Sequence, residues 1–169
     1  MKKFYIYVII AIILLPLGAK ATHMYGAQIT ATAESCPSNT YTITITGYEE
    51  LGSDVEFGSG ILDLGFGDPI DVSTDTDFDL RSINYADQST RVSKLTLSNV
   101  SFPGPGTYTI TFREFNRNAD VVNIRNSVNT PLYVESRLLI DPLLCNNTPQ
   151  FSDSVNFSAF TSSTFEQQL

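Results

Sequence analysis

The sequence predicts an all-β protein: an antiparallel β-sandwich of about seven or eight strands that follows an N-terminal export signal. Three observations lead there. Apolar and polar residues alternate with period two along several short runs, while helical periodicity hardly appears. Clusters of Pro, Gly, Asn and Ser separate those runs and stop regular structure. Threonine fills much of the polar side, and its β-branched side chain favours extended backbone on a half-exposed pleated face.

The first segment reads as an address. Lys2 and Lys3 precede an apolar run from Phe4 to Leu15; Pro16 and Gly18 break it, and Ala19-Lys20-Ala21 follows. Positive start, apolar core and small-residue cleavage site are the three parts of a secretory signal. The apolar run is about a dozen residues, short of the ~18–20 that span a bilayer. Cleavage after Ala21 is expected, with an uncleaved anchor as the alternative. The chain then divides into a signal peptide (1–21), a sandwich domain (22–160) and a polar tail (161–169) that reads as frayed or cut short. No later stretch is long and apolar enough to cross a membrane.

The strands follow in order. Ala27, Ile29, Ala31 and Ala33 alternate with Gln28, Thr30 and Thr32. Pro37-Ser38-Asn39 is a turn, after which Tyr41, Ile43 and Ile45 alternate with Thr42, Thr44 and Thr46, so a hairpin is expected. Ile61 to Leu64 is a short apolar run ended by Gly65 and Gly67-Asp68-Pro69, and Val92 to Leu97 is another candidate. The turn Pro103-Gly104-Pro105-Gly106 launches Thr107 to Phe112. Leu132, Val134, Leu138 and Ile140 share one face of a further strand, with Tyr133, Glu135, Arg137 and Leu139 on the other. Val155 and Phe157 suggest a last one. One apolar face per strand implies two sheets packed over a single core.

Composition excludes several function classes. The chain has 169 residues and 18.6 kDa, room for one main domain. Ten Lys+Arg stand against eighteen Asp+Glu, a net charge of -8 that repels phosphate backbones and argues against nucleic acid as a partner. Two cysteines exclude a four-cysteine zinc site, and one histidine leaves little for a metal centre or catalytic relay. There is no G-x-S-x-G, no H-E-x-x-H and no phosphate-cradling glycine loop. Glu49-Glu50 with Glu114 could supply the two carboxyls of a glycosidase, but sequence leaves their separation open. The expectation is a protein that is not an enzyme.

The remaining candidate sites each have a plainer reading beside them. Asp71, Asp75, Asp77 and Asp79 alternate in a way that could converge on calcium, a hard cation that takes several oxygens. No glycine stands at the sixth position and no Glu closes the loop, so a solvated acidic loop is the plainer reading. Calcium is the single cofactor candidate. His23 beside a new N-terminus could chelate copper weakly, or simply lead into the first strand. Tyr41, Tyr108 and Phe112 read as core, whereas Tyr48, Tyr85 and Tyr133 are freer to form a sugar-binding face. Asn99, Asn146 and Asn156 each begin an N-x-S/T triplet. Export makes a Cys36–Cys145 disulfide chemically feasible, the alternative being two buried free thiols.

The most specific text lies late. Arg113-Glu114-Phe115-Asn116-Arg117-Asn118-Ala119 leads into Val122-Asn123-Ile124, Ser127-Val128-Asn129-Thr130-Pro131, Ile140-Asp141-Pro142 and Cys145-Asn146-Asn147-Thr148-Pro149. Its asparagines can satisfy nearby backbone groups, which favours an ordered hydrogen-bonded loop as scaffolding. Arg113, Asn116, Arg117 and Asn118 are candidate ligand contacts within it.

This block, together with Ala21-Thr22-His23, Gly26 and Cys36, resembles the N-terminal region of large surface proteins from gliding, Bacteroidetes-type bacteria. The resemblance runs from about Ala21 to Pro149. It implies an Ig-like or PKD-like module at the start of a longer chain, many such chains ending in a gliding-motility-associated sorting domain used by the type IX secretion system. The implied function is a non-catalytic, exported structural or adhesive module at the cell surface, or in the periplasm if no sorting signal exists. Its partners would be other envelope or surface proteins, or glycans. A soluble glycan- or calcium-dependent binding module is the alternative. Either a leading piece of a larger protein or a stand-alone exported protein is expected.

Overall fold

The structure, a computed structural model, describes residues 24–51, 57–73, 79–84, 90–115, 117, 121 and 123–150. Eight strands are seen among them: β1 (Met24–Ala33), β2 (Thr40–Glu50), β3 (Ile61–Asp63), β4 (Ile70–Asp71), β5 (Asp79–Asn84), β6 (Thr90–Ser101), β7 (Gly106–Glu114) and β8 (Leu132–Ile140). One 3₁₀ turn, Ser127–Asn129, interrupts the β7–β8 connection. The segment read as an export signal, the suggested strand at Val155–Phe157 and the tail lie outside the described residues.

The strands form two four-stranded antiparallel sheets, ordered β1-β2-β6-β5 and β4-β3-β7-β8. This is the immunoglobulin-type arrangement of one four-stranded and one three-stranded sheet, with β4 as an added edge strand. The hairpin read at Pro37-Ser38-Asn39 joins β1 to β2 with Ala31 opposite Ile43 and Ile29 opposite Ile45. Two strands were not read from the sequence. β4 is only two residues long, and β5 continues from the acidic stretch taken as a loop.

Period-two alternation builds the core. Ile43, Ile45, Leu95 and Leu97 from the first sheet meet Leu62, Ile110, Phe112, Leu138 and Ile140 from the second, all buried. Each such side chain contributes roughly 1.5–3 kcal/mol of transfer free energy. At one end Phe102 gathers Tyr41, Phe66 and Tyr108 at centroid distances of 5.7, 4.8 and 4.8 Å. Tyr108 also donates its hydroxyl to the Gly104 carbonyl at 2.9 Å. That is a tyrosine corner, which pins the crossing from β6 to β7.

A bulge corrects the phase of β6. Ile43 faces Leu97 but Tyr41 faces Val100, so one extra residue is inserted, and Asn99 adopts left-handed geometry (φ 59°). Ser98 and Asn99 both turn to solvent, and Val100 returns to the core. In a regular, unbulged strand Val100, three residues after Leu97, would point outward.

Candidate functional site

Two carboxylates lie inside one end of the sandwich. Along β2 the inward positions run Ile43, Ile45, Gly47 and then Glu49; along β7 they run Ile110, Phe112 and then Glu114. Both glutamates are only 2% exposed. Glu49 accepts hydrogen bonds from the Phe57 amide at 2.9 Å and from Arg91 at 2.7 Å (Nη2) and 3.3 Å (Nε). The Ser93 hydroxyl is a further donor to it. Glu114 receives the Ser59 hydroxyl at 2.8 and 3.0 Å to its two oxygens.

Residues 57–60 thus cross between the sheets with one hand on each carboxylate. The crossing is tight. Phe57 lies over Gly47, where an added Cβ would come within 2.9 Å of its ring, and packs edge-on against Phe112 at 5.7 Å. A general acid or base needs reach to a substrate proton. Glu49 and Glu114, weighed above as a glycosidase pair, are instead occupied by donors of their own chain. Glu50 alternates to the other face of β2.

The β7–β8 connection, where the candidate ligand loop was read, emerges at the same end. Asn126 takes left-handed geometry (φ 55°) and its side-chain oxygen accepts from Asn129 Nδ2 at 2.9 Å. Its carbonyl accepts from the Thr130 hydroxyl at 3.2 Å. The expected asparagine scaffolding is therefore present. Arg117 forms a lone parallel bridge with Met24, and its Nε is buried with no hydrogen-bond partner among the described residues. Asn116 and Asn118 lie outside the described residues.

Arg113 sits apart from that loop, on the outer face of β7. Its guanidinium carbon lies 5.9 Å from the centre of the Tyr133 ring on β8. The Tyr133 hydroxyl donates to Glu135 at 3.0 Å. That hydrogen bond raises the phenol above its ordinary value, with desolvation and the Glu135 and Asp63 charges adding and Arg113 opposing. Tyr133 is 47% exposed, so it remains a candidate platform. Tyr48 does not: it is buried at 9% exposure, and the reading of it as a free ring is corrected. Tyr85 lies outside the described residues.

The acidic cluster is only partly visible. Asp71 accepts from the Ser73 amide at 3.0 Å and the Ser73 hydroxyl at 2.7 Å, a local turn that needs no cation. Asp79 opens β5 opposite Thr96, while Asp75 and Asp77, like His23, lie outside the described residues. Asp71 and Asp79 therefore belong to edge strands of different sheets. Of the N-x-S/T asparagines, Asn99 is the exposed bulge residue and Asn146 donates to the Leu139 carbonyl at 2.9 Å; Asn156 lies outside the described residues.

At the opposite end Cys36 and Cys145 form a disulfide with Cα atoms 5.0 Å apart, which removes the free-thiol alternative. Beside it a cleft of about 280 Å³ is lined by 37–39, 104–105 and 140–142. Leu143 and Leu144 are exposed next to it. No helix among the described residues is long and apolar enough to cross a membrane.

Sequence reasoning missed Arg91 as the partner of Glu49 and missed the role of Asn147 and Thr148. The first had a signal: a glutamate placed on the inward phase of β2, directly after Ile43, Ile45 and Gly47, requires a buried cation or donors. Comparison with known proteins adds no relative: no family model, curated protein or solved structure matches the chain.

Proposed function

We propose that this protein is an exported, non-catalytic module with a structural or adhesive role at the cell surface. The observation that carries the reading is the fate of the two buried carboxylates. Glu49 and Glu114 are bound by Arg91, Ser93, Ser59 and the Phe57 amide, so the most reactive-looking groups serve to hold the sheets together. The disulfide suits an oxidising compartment. The resemblance to the N-terminal region of gliding-bacterial surface proteins supports a place within a larger surface assembly. Fractionation of the source cells followed by surface proteolysis tests this: enrichment in the envelope or at the surface is expected, and a cytoplasmic pool would overturn it.

A second reading, glycan binding, is favoured by Tyr133. Its half-exposed ring lies beside Arg113 and Glu135 on the outer sheet face, with Asp63 in the adjacent row of the β3–β7–β8 ladder. An apolar ring flanked by charged hydrogen-bonding groups is a surface on which a sugar can stack. A glycan array with the protein and Tyr133→Ala, in calcium and in chelator, separates the readings. Binding lost on substitution would favour this one, and silence throughout would remove it.

A further inference from the structure

β1 is the outer strand of its sheet, and the free edge of such a strand is where another chain can add. Here the chain itself occupies part of that edge. The Ala31 amide donates to Thr148 Oγ1 at 2.7 Å, and the Thr148 amide donates to the Ala31 carbonyl at 3.0 Å. The Ala33 amide donates to Asn147 Oδ1 at 2.8 Å, and Gln150 Nε2 donates to Thr32 Oγ1 at 2.9 Å. Three of these four bonds engage the backbone of β1, and Thr148 is buried. Residues 147–150 are therefore an added segment bound to a receptor edge.

The segment is attached through features that permit a change of partner. The Cys36–Cys145 bridge ties its near end to the β1–β2 turn, and both cysteines are exposed. Pro142, Leu143 and Leu144, between β8 and the bridge, are also exposed, Leu143 by 86%. The Leu143 amide donates locally, to Asp141 Oδ1 at 2.7 Å. Redirecting this loop would cost little buried surface.

We propose that the outer edge of β1 is a strand-acceptor site for a second copy of this chain, and that two copies exchange their 145–150 segments reciprocally. A second copy is the occupant because the Asn147-Thr148-x-Gln150 pattern already matches the hydrogen-bonding groups of the edge. In the exchanged pair every one of these bonds is remade with the same residues, which is the condition for domain swapping. The unswapped form is favoured by its high effective concentration, so exchange requires crowding and an opened bridge. A small thiolate supplies the opening. It attacks one sulfur of the bridge, forms a mixed disulfide and frees the other cysteine as a thiolate. The thiolate of the second copy then closes on the mixed disulfide and expels the small thiol. Two intramolecular bridges become two intermolecular ones with no net oxidation or reduction.

The test mixes ¹⁵N-labelled and unlabelled oxidised protein at high concentration, with and without catalytic glutathione, then quenches with an alkylating agent. The expected product is a dimer of mixed isotope composition, visible without reductant, whose peptides link Cys36 of one copy to Cys145 of the other. It should form only with the thiol present. Two closed copies and one exchanged pair hold the same bonds, so the double substitution Asn147→Ala with Thr148→Ala, which keeps both cysteines, should speed exchange by freeing the segment and leave the final dimer fraction within about twofold. Absence of mixed dimers in the unsubstituted protein would overturn the proposal without reliance on the variant. Random 36–36 and 145–145 linkages in place of 36–145 would overturn it equally.

Discussion

Single residues carry sharp consequences where backbone or solvation leaves no slack. Gly60 has φ +117°, and a Cβ there would meet the Arg113 carbonyl oxygen at 2.6 Å. Gly60→Ala should destabilise the fold by at least ~2 kcal/mol, read as a lower urea midpoint. Tyr41 is buried, and desolvation raises its phenol above the ordinary value. The sign follows from linkage: the native state holds this proton more tightly than the unfolded chain. Its contribution is whole below the unfolded value of about 10 and is lost as pH climbs through the raised native value. Alkaline titration should therefore show Tyr41 ionising together with unfolding, and Tyr41→Phe should shift the alkaline midpoint upward. Tyr133 is also raised, but through Glu135 at the surface. Glu135→Ala should bring its absorbance titration down toward the ordinary tyrosine value with little change in stability.

Elements are joined by interactions their own alternation does not explain. Arg91 on β6 reaches Glu49 on β2, and the partners are 13% and 2% exposed. Removing one member of a buried pair leaves an uncompensated charge. Arg91→Ala should cost about 3 kcal/mol, and adding Glu49→Gln should recover part of that loss. A double-mutant cycle by urea unfolding reads the coupling directly; strict additivity would show the pair to be incidental. This part of the site was half legible. Glu49 stands in the sequence at an inward position, but nothing near it in sequence identifies Arg91, 42 residues away, as its partner. The Asn99 bulge was equally hidden, because an inserted residue in a strand reads as ordinary polar text until its partner strand fixes the register.

Across the whole molecule, the Cys36–Cys145 bridge spans a sequence separation of 109, so it restricts most of the described chain. Reduction should lower stability by about 2–5 kcal/mol, measured by urea unfolding with and without reductant. The surfaces divide by end and face. One end holds the buried carboxylates and the long β7–β8 connection; the other holds the bridge, the cleft and the exposed leucines. The outer face of β7 and β8 presents Arg113, Tyr133 and Glu135. Of the candidate ligand residues, the two described lie apart: Arg113 stacks with Tyr133 on the sheet, while Arg117 bridges to Met24.

The strands with a strict alternation were readable from residues alone. Tyr41-Ile43-Ile45 and Leu132-Val134-Leu138-Ile140 each place their apolar face with no further information, because period two follows from the pleat. The hairpin turn at 37–39 and the Pro-Gly turn at 103–106 were equally local. Strand order, the pairing of Glu49 with Arg91 and the docking of Thr148 on Ala31 were not. Each depends on groups far apart in the chain, and their meeting is set by how the two sheets pack. Local propensity shapes a strand, but the partner of a buried charge or of a free edge is chosen in three dimensions.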